Sequence, residues 1–157
     1  MSLENAKARK PEHELFHGFR VFVLSCLTVG VMNAQTPPEP RTIEKGDQSN
    51  VEDAKQVLAR SGAELRVLWQ QHAPDRPAPS IDFSKEMVVA VFMGSRPNAG
   101  FSTAIVSATA AAGVLIVRYS ETRPKPGAIA AQVLTFPYHI VAIPKADVRD
   151  VKFEKVE

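Results

Sequence analysis

Met87-Val88-Val89-Ala90-Val91-Phe92-Met93 is a nearly unbroken apolar run, and it ends on the turn-rich stretch Gly94-Ser95-Arg96-Pro97-Asn98-Ala99-Gly100-Phe101. The run lacks the polar positions of a half-exposed strand, so it reads as a central strand covered on both faces. Downstream, residues 101–107 and 114–119 are β-rich, with a small-residue turn at 108–113 between them. Residues 136–143 form another strand, ended by Pro144. Residues 148–156 place Val148, Asp150, Lys152 and Glu154 on one face against Arg149, Val151, Phe153 and Lys155 on the other. Upstream, 41–45 and 54–60 are short extended candidates separated by the polar run 46–50, an arrangement that predicts a hairpin.

One helix stands among these strands. Ser61-Gly62-Ala63-Glu64 has capping-box spacing, in which the serine oxygen accepts from the N3 amide and the glutamate reaches back. Leu65, Leu68, Trp69 and His72 follow on one face, and Pro74 stops the helix. Trp69 reads as the core anchor. His72 reads as a structural residue of the last turn, where the helix dipole favours a partly positive side chain. Strands joined by short turns around a single helix predict an α+β domain, a mostly antiparallel β-sheet with one principal helix packed on it.

The first residues predict a signal peptide ahead of that domain. Lys7, Arg9, Lys10 and Arg20 precede an apolar stretch from Val21 to Met32, followed by Asn33, Ala34 and Gln35, the basic, apolar, small-residue order of a secretory signal. The apolar stretch of 12 residues is too short to span a membrane, which takes about 20. The expected organisation is a signal peptide at 1–34 cleaved near Ala34, a linker at 35–40 and an α+β domain at 41–157. A periplasmic or secreted location follows, with no stable membrane insertion after cleavage. Two rival readings of this segment are a lipid-attachment box at Val23-Leu24-Ser25-Cys26 and a buried helix of the domain itself.

Composition narrows the chemistry. The only cysteine of the 157 residues is Cys26, so the mature part has no thiol nucleophile, disulfide or Cys-based metal site. The net charge is +2, from 19 basic and 17 acidic residues that are interleaved, and no basic stripe points to nucleic acid. After the signal only His72 and His139 remain, with no metal-binding spacing around either, and no cofactor is expected. A serine hydrolase would have to be assembled from Ser102, His139 and Asp82 without a Gly-x-Ser-x-Gly elbow. Asp82 and Glu121 read either as a carboxylate pair or, equally, as solvated charges at strand ends.

The stretch 94–101 is the candidate contact. Its residues Gly94, Ser95, Arg96, Pro97, Asn98, Gly100 and Phe101 read either as a long hairpin turn or as a recognition loop on a rigid sheet. Arg123-Pro124-Lys125-Pro126-Gly127 repeats its Arg-Pro-x-x-Gly spacing, which suggests two stiff loops with exposed arginines, Arg96 and Arg123, at one end of the sheet.

At these residues the chain resembles the C-terminal domain of the PrcB family, named for an accessory subunit of a bacterial surface protease complex. The likeness lies in Val88 to Arg96, in Gly100-Phe101-Ser102, in 119–127 and in Thr135-Phe136-Pro137-Tyr138-His139-Ile140-Val141-Ala142-Ile143-Pro144. It spans about residues 82–145, with a weaker echo at 41–69. Where the family loop reads Thr-Gly-Gly-Tyr, this chain has Asn98-Ala99-Gly100-Phe101. The resemblance implies a protease-associated or protein-binding role and carries over no catalytic residue. The expectation is therefore an exported, non-enzymatic protein-interaction domain, an accessory or stabilising subunit of an envelope protease complex. The alternative is a direct peptidase inhibitor, because Pro97 to Phe101 loosely looks like the hairpin of chagasin-type inhibitors. A hydrolase of unknown type comes third.

Overall fold

The computed structural model describes residues 39–157; the expected signal peptide at 1–34 and residues 35–38 of the expected linker lie outside the described residues. In chain order these form β1 (Arg41–Gly46), β2 (Lys55–Ala59), α1 (Gly62–His72), β3 (Glu86–Phe92), β4 (Ser102–Ala111), β5 (Val114–Thr122), β6 (Tyr138–Pro144) and β7 (Asp150–Val156). β3 and β6 are the two apolar strands, and they pair antiparallel with Val88 opposite Ala142 and Ala90 opposite Ile140. β1 flanks β6 and β2 flanks β3, giving a four-stranded sheet in the order β1-β6-β3-β2. A second sheet has the order β4-β5-β7.

Alternation along β3 and β6 divides the core in two. Val88, Ala90, Phe92, Tyr138 and Ile140 face Leu65, Leu68 and Trp69 of α1. Met87, Val89, Val91, Val141 and Ile143 face Leu115, Val117 and Tyr119 of the second sheet. Both faces of the central strands are thus covered, as continuous apolarity requires.

The helix begins as its sequence predicts: Ser61 Oγ accepts from the Glu64 amide at 3.3 Å, although the Glu64 carboxylate accepts from Arg60 N, one residue before the cap. Leu65, Leu68, Trp69 and His72 are its buried face.

Four expectations are corrected. Residues 41–60 do not form a hairpin: β1 and β2 sit at opposite edges of one sheet, because each adds to a more apolar central strand. The strands form two sheets rather than one, and β7 lies parallel to β5 while the other pairs are antiparallel. The turn expected at 108–113 shrinks to Ala112-Gly113, both with positive φ, since small residues 108–111 continue β4. The loop 94–101 is not a hairpin turn either, for β3 and β4 belong to different sheets and the loop carries the chain across. The hairpin underlying the likeness to chagasin-type inhibitors is therefore absent.

His139, on β6, clamps the sheets together. Its Nδ1 accepts from the Ile105 amide at 2.8 Å, beside a bulge in β4, and its Nε2 lies 2.9 Å from Thr42 Oγ1 on β1. An amide can only donate, so the ring proton sits on Nε2 and points to Thr42.

Candidate functional site

The crossing loop is held along its whole length. Gly94 has φ +75°, and a Cβ there would lie 2.7 Å from Ala54 N and Glu52 O, so only glycine fits against that backbone. Ser95 N then donates to Glu52 O at 2.8 Å. Arg96 and Thr135 exchange both backbone hydrogen bonds, at 2.8 and 2.9 Å, and Ala99 N donates to Ala131 O. Thr135 Oγ1 donates to Asn98 O at 3.1 Å. Gly100, with φ +97°, rests on Pro124: a Cβ there would come within 3.0 Å of the proline ring. This contact brings the 94–101 and 123–127 loops together, as their shared spacing suggested.

What the loop presents is a small cationic and aromatic surface. The Arg96 guanidinium lies 5.9 Å from the centroid of the Phe101 ring, which precedes β4. Ser95, Pro97, Gly100 and Arg123 are exposed, Arg96, Asn98 and Phe101 half-buried, and Gly94 buried. Among the described residues no carboxylate pairs with Arg96 or Arg123. Both charges are available to an outside group, and the cross-bridged backbone leaves the loop little freedom to lose on contact.

A polar cluster under α1 was not foreseen as a unit. Ser49 Oγ accepts from Val51 N at 3.1 Å and, with its own proton, faces His72 Nδ1 at 2.8 Å. His72 Nε2 lies 3.6 Å from Glu44 Oε2, and Glu44 Oε1 accepts from Tyr138 Oη and Arg76 Nη2, each at 2.8 Å. Burial presses the His72 pKa down while Glu44 pushes it back, with the net shift downward. The partly positive His72 expected of a last helical turn is accordingly corrected: the ring is 1% exposed, and desolvation lowers its pKa from the ordinary value against the pull of Glu44. Burial raises Glu44, but hydrogen bonds from Tyr138 and Arg76 outweigh it and hold the carboxylate below its ordinary range. Burial and the bond to Glu44 drive Tyr138 up to about 12.

Serine, imidazole and carboxylate in line resemble a hydrolytic triad, and a shallow depression of about 340 Å³ touches Ser49 and His72. Oxyanion stabilisation needs free donors beside the nucleophile. Here the neighbouring amides are spent, Asn50 N on His72 O and Val51 N on Ser49 Oγ itself. The geometry is that of a latch tying loop 47–51 to the helix end. The other set considered, Ser102, His139 and Asp82, is not hydrogen-bonded together: His139 is committed to Thr42 and Ile105, and Asp82 accepts from Ser84. Asp82 and Glu121 also have separate cationic partners, Lys85 and Lys155. Among the described residues no three His, Cys, Asp or Glu side chains could together hold a metal ion, and no helix is long and apolar enough to cross a membrane.

Fold and loop together define a small two-sheet α+β domain that presents a braced basic loop between its sheets. Residues 87–144, from β3 through β6 and including the entire loop, match the family model PrcB C-terminal. No curated protein and no solved structure matches the chain.

Proposed function

We propose that the chain is an exported, non-enzymatic protein-interaction domain serving as an accessory subunit of an envelope protease, with loop 94–101 as its contact. The observation that carries this reading is the loop itself: matched by the family model, hydrogen-bonded to Ala131 and Thr135, lying against Pro124, and displaying Arg96 and Arg123 without a carboxylate partner. Two cations without carboxylates suit an acidic segment of the partner. The order of charges and apolar residues at 7–35 supports the export step.

The test is capture of partners from the envelope fraction, with mass spectrometry of the bound chain reading an N-terminus near Gln35. Arg96→Ala should then weaken affinity for the captured partner by about 2 kcal/mol if the arginine is an anchor, with unchanged unfolding free energy. Phe101→Ala separates binding from packing, since its affinity and stability are measured in parallel. Affinity within about twofold of wild type for Arg96→Ala, with Phe101→Ala lowering stability alone, would make the segment merely a sheet-to-sheet crossing.

A further inference from the structure

Each sheet has two outer strands, and an outer strand with bare backbone groups invites pairing unless something blunts it. Three of the four are blunted. β1 has an irregularity between Thr42 and Glu44 and bears Arg41, Glu44 and Lys45. β4 is bulged between Ile105 and Ser107, and its Ile105 amide is taken by His139. β7 bears Asp150, Lys152, Glu154 and Lys155. β2, reading Lys-Gln-Val-Leu-Ala, pairs with β3 in unbroken register and has no proline, no bulge and one charge at its start. Among the described residues no strand lies on its outer side.

Beside that edge, between β2 and α1, runs a mostly apolar groove of about 380 Å³ walled by Val57, Val67 and Leu68. Val67 is 58% exposed, on a helix whose other large apolar residues Leu65, Leu68 and Trp69 are buried. The ends of the groove differ in charge. α1 returns along β2, so that Lys55 Nζ donates to Gln71 at one end while Glu64 accepts from Arg60 N at the other.

We propose that this edge is covered by the same edge of a second copy of the chain, the two β2 strands pairing antiparallel about a two-fold axis that passes by Val57 and Val67. Val57 is the middle residue of β2 and Val67 the middle residue of α1, so one axis serves both elements. Rotation about it carries the Lys55 end of one groove onto the Glu64 end of the other. Each Lys55 then faces Glu64 of the second copy, Val57 faces Val57, and Val67 meets Val67. The contact is self-complementary, as a two-fold interface must be, and Lys55 meets an acid there, while the neighbouring Arg60 holds its guanidinium on Val148 O and Arg149 O. A foreign strand would satisfy the backbone equally well, but it would have to bring its own acid to Lys55 and its own apolar residue to Val67. A second copy supplies both. None of these residues belongs to loop 94–101, so the loop stays free for the partner proposed above.

Sedimentation equilibrium of the full chain across a wide concentration range tests the proposal, with a reversible dimer as the expected result. Val67→Glu places two carboxylates on the axis and should weaken the dimer by about thirtyfold or more. Its exposed helical position should preserve the fold, which circular dichroism verifies. Lys55→Glu should weaken it about two- to tenfold, an effect that added salt reduces. A wild-type monomer at every concentration would overturn the proposal, and protection of the β2 amides from exchange only when envelope extract is added would assign the edge to a foreign strand. A dimer as tight in Val67→Glu as in wild type would place the interface elsewhere and also overturn it.

Discussion

The two faces of the four-stranded sheet each bury one histidine, and they hold it by opposite means. On the helix face His72 is surrounded by the rings of Trp69, Phe92 and Tyr138 and hydrogen-bonded through Nδ1 to Ser49, with the Glu44 carboxylate 3.6 Å from Nε2. On the inter-sheet face His139 is held by the Ile105 amide and the Thr42 hydroxyl, and the charge that acts on it is the cation of Lys45. Burial lowers both pKa values. At His72 the carboxylate opposes that descent, whereas at His139 the lysine adds to it, and the ring falls to about 4. Depth alone does not set the proton affinity of a buried ring; the sign of the neighbouring charge decides how far burial is felt.

The largest expected consequence is acid sensitivity through His139. Its folded-state pKa lies below its unfolded value, so the unfolded chain takes up the proton first and stability rises with pH across that interval. Stability should be complete above about pH 6.5 and decline as pH falls toward about 4, by up to about 3 kcal/mol. His72, shifted the same way, adds to the decline in this window. Urea midpoints at neutral pH and near pH 4.5 measure it, and His139→Gln, which can still accept from Ile105 and donate to Thr42, should flatten the slope. Equal slopes in the two proteins would deny His139 its role as a neutral clamp.

A smaller effect separates the polar partners of the two rings. Ser49→Ala strips both the His72 nitrogen and the Val51 amide of their partner inside the core, and should cost about 1–3 kcal/mol. Thr42 is exposed, so water replaces its hydroxyl and Thr42→Ala should cost under about 1 kcal/mol. Equilibrium unfolding at neutral pH compares them, and a reversed ranking would mean that the two histidine sites have been weighed the wrong way round.

The smallest effect tests whether the faces are energetically separate. Ile140→Val thins the helix face and Ile143→Val the inter-sheet face of the same strand, each at about 0.5–1.5 kcal/mol. Independent layers predict that the double variant adds within about 0.5 kcal/mol. A larger coupling energy would show β6 transmitting strain from one layer to the other.

Local chemistry made much of this architecture readable in advance. The capping serine, the apolar stripe ending at His72 and the seamless run of β3 each depend on neighbours within a few residues, and each lies where the sequence places it. Pairing between distant strands left no such trace. β1 and β2 are adjacent in the chain and so suggested a hairpin, yet the more apolar β6 and β3 took them as neighbours. The loop was legible as a rigid, glycine-bearing element, but its bracing by Thr135 and Ala131 was not, because nothing near Arg96 announces a partner so far along the chain. The Ser49, His72, Glu44 and Tyr138 cluster was invisible for the same reason. Its one local hint was a histidine completing an apolar stripe.

β6 lies between β1 and β3, and Thr42 and His139, which join there, are 97 positions apart. A ribosome must therefore make β1 through β5 before the strand that separates β1 from β3 exists. Closure of so long a loop precedes any reward from the contact, which makes late, slow folding the expected kinetic regime. A nascent chain stalled before Tyr138 would expose the valine-rich side of β3 as a sticky edge, open to chaperones or to aggregation. The same delay keeps the four-stranded sheet open until β6 has been made, a state more easily threaded through a narrow pore than the closed fold.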